Sequence, residues 1–157
     1  MGLFSFLKGA GEKLFGSKKA DEEAAADAAA TERERKITAM QSYVTGLGLN
    51  IQNLDLDLDG DKVTAYGQAS TQSDKEKVIL ALGNVEGVAS VDDRISVLAP
   101  PEPEADMYEV KSGDSLSKIA KHFYGDAMRY NEIFEANTPM LKHPDKIYPG
   151  QMLRIPK

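Results

Sequence analysis

"NLDLDLDGDKVTAYG", Asn53 to Gly67, admits two incompatible folds. Asp55, Asp57, Asp59 and Gly60 have the spacing that opens a calcium-binding loop. Leu54, Leu56 and Leu58 alternate strictly with those aspartates, the period-2 pattern of a strand with one buried face. The loop needs a closing carboxylate at its twelfth position, and counting from Asp55 that position is Tyr66. The strand reading therefore holds. Asp59-Gly60 supplies a hairpin signal, and Val63, Ala65 and Gly67 alternate with Thr64 and Tyr66 on the return strand. The aspartates become the wet face of a hairpin whose leucines build a core.

The elements around the hairpin follow. Upstream, Thr31 to Glu34 has the form of a capping box, and Ile37, Met40, Val44 and Leu47 fall at helical spacing before Gly46 and Gly48 stop the helix. Downstream, Ser73 to Glu76 is a second capping box. Val78, Ile79, Ala81 and Leu82 give its helix an apolar face, and Gly83 ends it. A third strand runs from about Ala89 to Leu98. The order α-β-β-α-β predicts helices on one face of a small mixed sheet. "APPEPEAD" (99–106) is an extended, solvated linker. Residues 107–157 then read as β-α-α-β: a strand at Tyr108 and Val110, a helix carrying Leu116, Ile119 and Phe123, a second with Tyr130, Ile133 and Phe134, and a last strand from Met152 to Ile155. The class is α+β, with domains at 31–98 and 107–157. Residues 1–30 are read as a short docked helix (Leu3, Leu7, Ala10, Leu14) followed by an Ala-rich spacer.

Composition limits the function. The net charge of −6 argues against nucleic acid, which needs a basic face. Residues 107–157 carry 8 basic and 6 acidic side chains, whereas the first 106 carry 11 and 19. The chain has no cysteine, so thiol chemistry is excluded. The start "MGLFSFLKGAGEKLFGSKK" is too short in its apolar run for a secretory signal, and nothing approaches a membrane span. A soluble, cytoplasmic, monomeric protein without stable membrane insertion is expected. No Ser/His/Asp set, GxGxxG or P-loop is present, so no enzyme is expected. His122 and His143 stand alone.

Two family resemblances emerge from longer motifs. "YEVKSGDSLSKIAKHFYG", "IFEAN" and "IYPGQMLRIP" resemble, in order, a LysM module over the last 51 residues. "VTAYGQASTQSDKEKVILAL" followed by "VEGVASVDDRISV" resembles a BON domain. The pair together resembles a family of small bacterial potassium-binding proteins, and "HPDKIYPGQMLRIP" fits that family. The LysM resemblance implies binding of N-acetylglucosamine-containing glycans such as peptidoglycan, in a groove at Gly113, Asp114, Ser115, Ile147, Tyr148 and Pro149. The potassium-binding resemblance implies a monovalent-ion sensor, with the LysM module packed on BON.

Potassium is best coordinated by neutral carbonyl oxygens, and carboxylates favour divalent ions. The expected site therefore lies where carbonyls converge, at helix ends and glycine loops. "LKGAG" (7–11) and "LGNVEGVAS" (82–90) have this character. With potassium as the implied ligand, the candidate donors are the backbone carbonyls of Leu7, Ala10, Gly83, Val85, Gly87 and Val88. This requires the N-terminal segment to fold back onto the BON loop.

Overall fold

The computed structural model describes residues 3–6, 9, 11, 25–100 and 102–157. Its elements are β1 (Leu3–Ser5), α1 (Ala25–Gly46), β2 (Ile51–Asp59), β3 (Lys62–Ala69), α2 (Gln72–Gly83), β4 (Ser90–Val97), β5 (Asp106–Glu109), α3 (Leu116–Tyr124), a 3₁₀ turn (Ala127–Arg129), α4 (Tyr130–Ala136) and β6 (Met152–Ile155). The first domain has a four-stranded sheet in the order β1-β4-β3-β2. β3 and β4 are parallel; the other two pairings are antiparallel. The second domain pairs β5 with β6 and packs α3 and α4 on them. The α+β expectation holds in both halves.

The opening hairpin forms as a paired strand. Leu56, Leu58, Val63 and Ala65 are buried, and Asp55, Asp57 and Asp59 face outward. The turn itself is Gly60-Asp61, between the partners Asp59 and Lys62, one position later than Asp59-Gly60 suggests. Gly60 has φ 61°, which suits the first central position of a tight hairpin turn and is costly for other residues. The register slips between Gln52 and Asp55, a β-bulge with Asn53 in the left-handed region at φ 54°. The extra residue matters for packing. Ile51 is out of phase with Leu54 in a regular strand, and the bulge resets the phase so that both pack on the core.

Three local expectations are corrected. The stretch from Leu3 is a strand rather than a helix, because Leu3, Phe4 and Ser5 complete the free edge of β4. Leu7, Ala10 and Leu14, the rest of that expected helix, lie outside the described residues. Helix α1 begins at Ala25, so Thr31–Glu34 lies inside it rather than capping it. Alanine's helix propensity carries the helix back through the Ala-rich tract. The cap of α2 is Thr71, two residues before Ser73. Its hydroxyl accepts from the Asp74 N–H at 3.1 Å and donates to the Asp74 carboxylate at 2.8 Å.

Helix α2 is the centre of the molecule. Val78, Ile79, Ala81 and Leu82 pack on the sheet as expected, but Leu80 on the other side is buried too. The second domain covers that side: β6 packs across α2, and Met140 reaches the first domain's core. Among the described residues no helix is long and apolar enough to cross a membrane.

Candidate functional site

Helix α2 ends at Gly83, and the chain to β4 makes few of its own backbone bonds. Asn84 N–H donates to Leu80 O at 2.9 Å, Val85 N–H to Leu82 O at 3.3 Å and Val88 N–H to Val85 O at 3.2 Å. The Gly83, Gly87 and Val88 carbonyls accept no backbone hydrogen bond from any described residue. Gly87 sits at φ 100°, a conformation that releases the chain from helical direction. These oxygens stand at the negative end of α2, where unpaired carbonyls already favour a cation.

The N-terminal segment lies on this loop. Phe6 N–H donates to Ala89 O at 2.7 Å, extending the β1–β4 ladder. The Phe6 ring covers Gly83 so closely that a Cβ there would fall 2.0 Å from a ring carbon. Gly11 has φ 128°, and its Cβ would lie 1.9 Å from the Asn84 carbonyl oxygen. Both contacts exist because glycine has no side chain. The two glycine segments singled out in the sequence therefore meet. Gly83, Val85, Gly87 and Val88 share the loop, and Phe6 and Gly11 touch it. Leu7 and Ala10, between those two in sequence, lie outside the described residues. Among the described residues no group of three or more His, Asp or Glu side chains could hold a metal. The loop offers neutral backbone oxygens, and the half-buried Glu86 is its one carboxylate.

Asn84 joins the same loop to the second domain. Its side-chain amide donates to Met152 O at 2.8 Å and its carbonyl accepts from Met152 N–H at 2.9 Å. This two-point contact imitates a neighbouring strand on the free edge of β6. Asn137 does the same at Arg154, donating to its carbonyl at 3.0 Å and accepting from its N–H at 2.8 Å. Beside them lies a buried interdomain ion pair. Glu76 on α2 meets Arg154 of β6 at 3.4 Å, with both side chains at most 10% exposed. The other Glu76 oxygen accepts from the linker N–H of Ala105 at 3.1 Å. Arg154 also donates to Ala136 O at 3.3 Å. Sequence reasoning missed Asn84, Glu76 and Arg154 as interface residues. The one signal present was an arginine inside the otherwise apolar strand Met152–Ile155.

The glycan-groove residues divide among different surroundings. Gly113 turns the β5–α3 loop at φ 87°. Ser115 caps α3, accepting from Lys118 N–H at 3.2 Å, and lines a cavity with His143, Pro144 and Asp145. Ile147, Tyr148 and Pro149 do not line that cavity. Ile147 packs on the second domain's core, Tyr148 lines a cleft between the domains, and Pro149 is exposed. Asp114 accepts from the Tyr108 hydroxyl at 2.6 Å and from Lys111 N–H at 2.9 Å. Asp114 thus ties β5 to the turn before α3, and Ser115 opens that helix. His122 packs edge-on against Phe123, and His143 Nδ1 accepts from Asp145 N–H at 3.2 Å.

The Tyr108–Asp114 bond has a pH signature. The Tyr108 hydrogen bond, then that of Lys111, holds the Asp114 carboxyl below its ordinary value. The same bond to Asp114, aided by burial, pushes the Tyr108 phenol up to about 12. A depressed carboxyl contributes stability that is lost as pH falls from about 4 through its folded value. A raised phenol contributes stability that is complete below pH about 10 and is lost as pH rises through the folded value. Thermal melting across pH should show both losses in the natural chain. In Asp114→Asn both should shrink, and unchanged limbs would assign them to other groups.

Comparison with known proteins follows the same division. The BON domain family model matches residues 38–99 and the LysM domain family model matches residues 108–156. The potassium binding protein Kbp of Escherichia coli O6:H1 is 44% identical over 160 residues, covering 100% of this chain and 99% of that protein. An uncharacterized protein of Deinococcus radiodurans is 34% identical over 146 residues, 86% of this chain and 57% of its own. The uncharacterized protein YqbP of Bacillus subtilis is 34% identical over 67 residues, 37% of this chain and 31% of its own.

Proposed function

Because the chain belongs to the BON–LysM family that includes the Escherichia coli potassium binding protein Kbp, we propose that it is a cytoplasmic potassium-binding sensor. The ion is held by backbone carbonyls of the α2–β4 loop and of the N-terminal segment laid against it. One observation carries the reading: carbonyls of Gly83, Gly87 and Val88 without backbone partners among the described residues, at a helix C-terminus onto which Phe6 and Gly11 fold. A set of neutral oxygens suits a large monovalent ion, whereas tight calcium and magnesium sites add carboxylates.

Asn84 gives ion binding an outlet. It lies between two candidate donor residues and grips β6, so an ordered loop presents its amide correctly to Met152. Binding then shifts the population toward the docked arrangement, provided the docked form binds better. Glycan binding through the LysM module is the second reading, favoured by the cavity beside Ser115.

Melting and X-ray scattering in potassium, sodium, magnesium, calcium and chitooligosaccharide test both. At a hundred times its dissociation constant, potassium should stabilise by about 2.7 kcal/mol. For a chain of this size that is roughly 5–10 °C in melting temperature. Compaction should accompany it, and sodium should do much less. An equal response to sodium, or a response to the sugar alone, would reject the potassium reading.

A further inference from the structure

We propose that the cleft between the two domains binds a small organic anion with an apolar body. The cleft encloses a cavity of about 340 Å³, within the range of small-molecule sites. One wall is Tyr43, Leu47 and Leu80 of the first domain; the other is Met140, Lys142 and Lys146 of the second. It is distinct from the cavity at Ser115, and although it borders the α2–β4 loop at Asn84, its lining includes none of Gly83, Val85, Gly87 and Val88.

Its charge sets it apart from the rest of the molecule. The chain carries 25 acidic and 19 basic residues, yet among the described residues two lysines and no aspartate or glutamate line this cleft. Neither Lys142 nor Lys146 has an ion-pair partner among the described residues, and both are exposed. The two side-chain amides in the lining already have partners. Asn84 is bonded to Met152, and the Gln151 side-chain oxygen accepts from Tyr148 N–H at 3.2 Å. Leu47, Leu80 and Met140 give the cleft apolar wall, Tyr43 and Tyr148 add aromatic surface, and two exposed ammonium groups stand on one side. That combination rejects cations and rewards a carboxylate or sulfonate attached to a ring or short hydrocarbon, whose body displaces water from Leu47, Leu80 and Met140. A ligand seated there touches both domains and therefore binds only their docked arrangement.

The probe for the test is 8-anilinonaphthalene-1-sulfonate, with uncharged N-phenyl-1-naphthylamine as its neutral counterpart, titrated into the full chain. Saturable one-to-one binding of the sulfonate is expected, stronger than that of the neutral amine. In the Lys142→Gln, Lys146→Gln double variant the sulfonate should weaken by about tenfold, the equivalent of roughly 1.4 kcal/mol, with the amine unchanged. Because both lysines are exposed and outside any described ion pair, the variant's melting temperature should match the natural chain. Backbone amide shifts should change at Leu80 and Met140. Equal sulfonate affinity in the double variant, equal affinity of the two probes, or shifts confined to other surfaces would overturn the proposal.

Discussion

Replacing Glu76 with alanine should lower stability by about 3–5 kcal/mol, the cost of leaving a buried charge without its partner. The charge is that of Arg154, which is 8% exposed and whose Nε has no hydrogen-bond partner among the described residues. With Glu76 gone, what remains to the guanidinium is the Ala136 carbonyl at 3.3 Å. The linker N–H of Ala105 loses its acceptor as well. The melting transition should fall by roughly 6–20 °C. The second-domain elements should undock, visible as expansion in X-ray scattering. Adding Arg154→Met should restore much of the loss, because the buried charge is then removed altogether. A double variant no more stable than Glu76→Ala would show that the pair is not what holds the domains. The neighbouring residue supplies the contrast. Lys75 pairs with Asp93 at 2.9 Å inside the first domain, so its loss should destabilise that domain without reporting on docking.

Deleting residues 1–11 should abolish potassium-dependent stabilisation altogether. The truncation removes β1 from the edge of β4, the Phe6 ring from Gly83 and the Gly11 backbone from the Asn84 carbonyl. The α2–β4 loop keeps its place between α2 and β4, but its carbonyls lose the segment that faces them. The whole increment expected at saturating ion, about 2.7 kcal/mol, should disappear. Gly11→Ala is the finer version of this experiment. Its Cβ would meet backbone rather than a yielding side chain, at a φ that L residues rarely adopt. It should push the segment off the loop while leaving β1 in the sequence. Unchanged potassium-dependent melting in the truncated chain would sink the shared site.

Much of the first domain was legible because periodicity is local. Leu54, Leu56 and Leu58 declare a strand face whatever lies around them, and Met40 and Val44 declare a helix face. Boundaries were less legible. Thr31 and Ser73 look like caps in isolation, but capping depends on where the helix actually starts, and better propensity upstream or a better-placed hydroxyl at Thr71 decided otherwise. Leu3–Ser5 has helical spacing with its neighbours, yet an unpaired edge of β4 recruited it as a strand. The bulge at Asn53 left only a trace in the sequence, the misplaced phase of Ile51.

By itself, the sequence determined the two domains' classes, the rejection of a carboxylate cage at Asp55–Asp59, and the two glycine segments as places where carbonyls could be left free. Those follow from side-chain alternation and from glycine's conformational range, which act over a few residues. Only the tertiary structure decided that the two glycine segments touch, that Asn84 and Glu76 face the second domain, and that Tyr148 lines the cleft beside α2 rather than the cavity at Ser115. The physical reason is that each of these depends on which surfaces are buried together. Asn84 and Met152 stand 68 positions apart, and no local pattern records which surface a polar side chain at the end of a helix will meet.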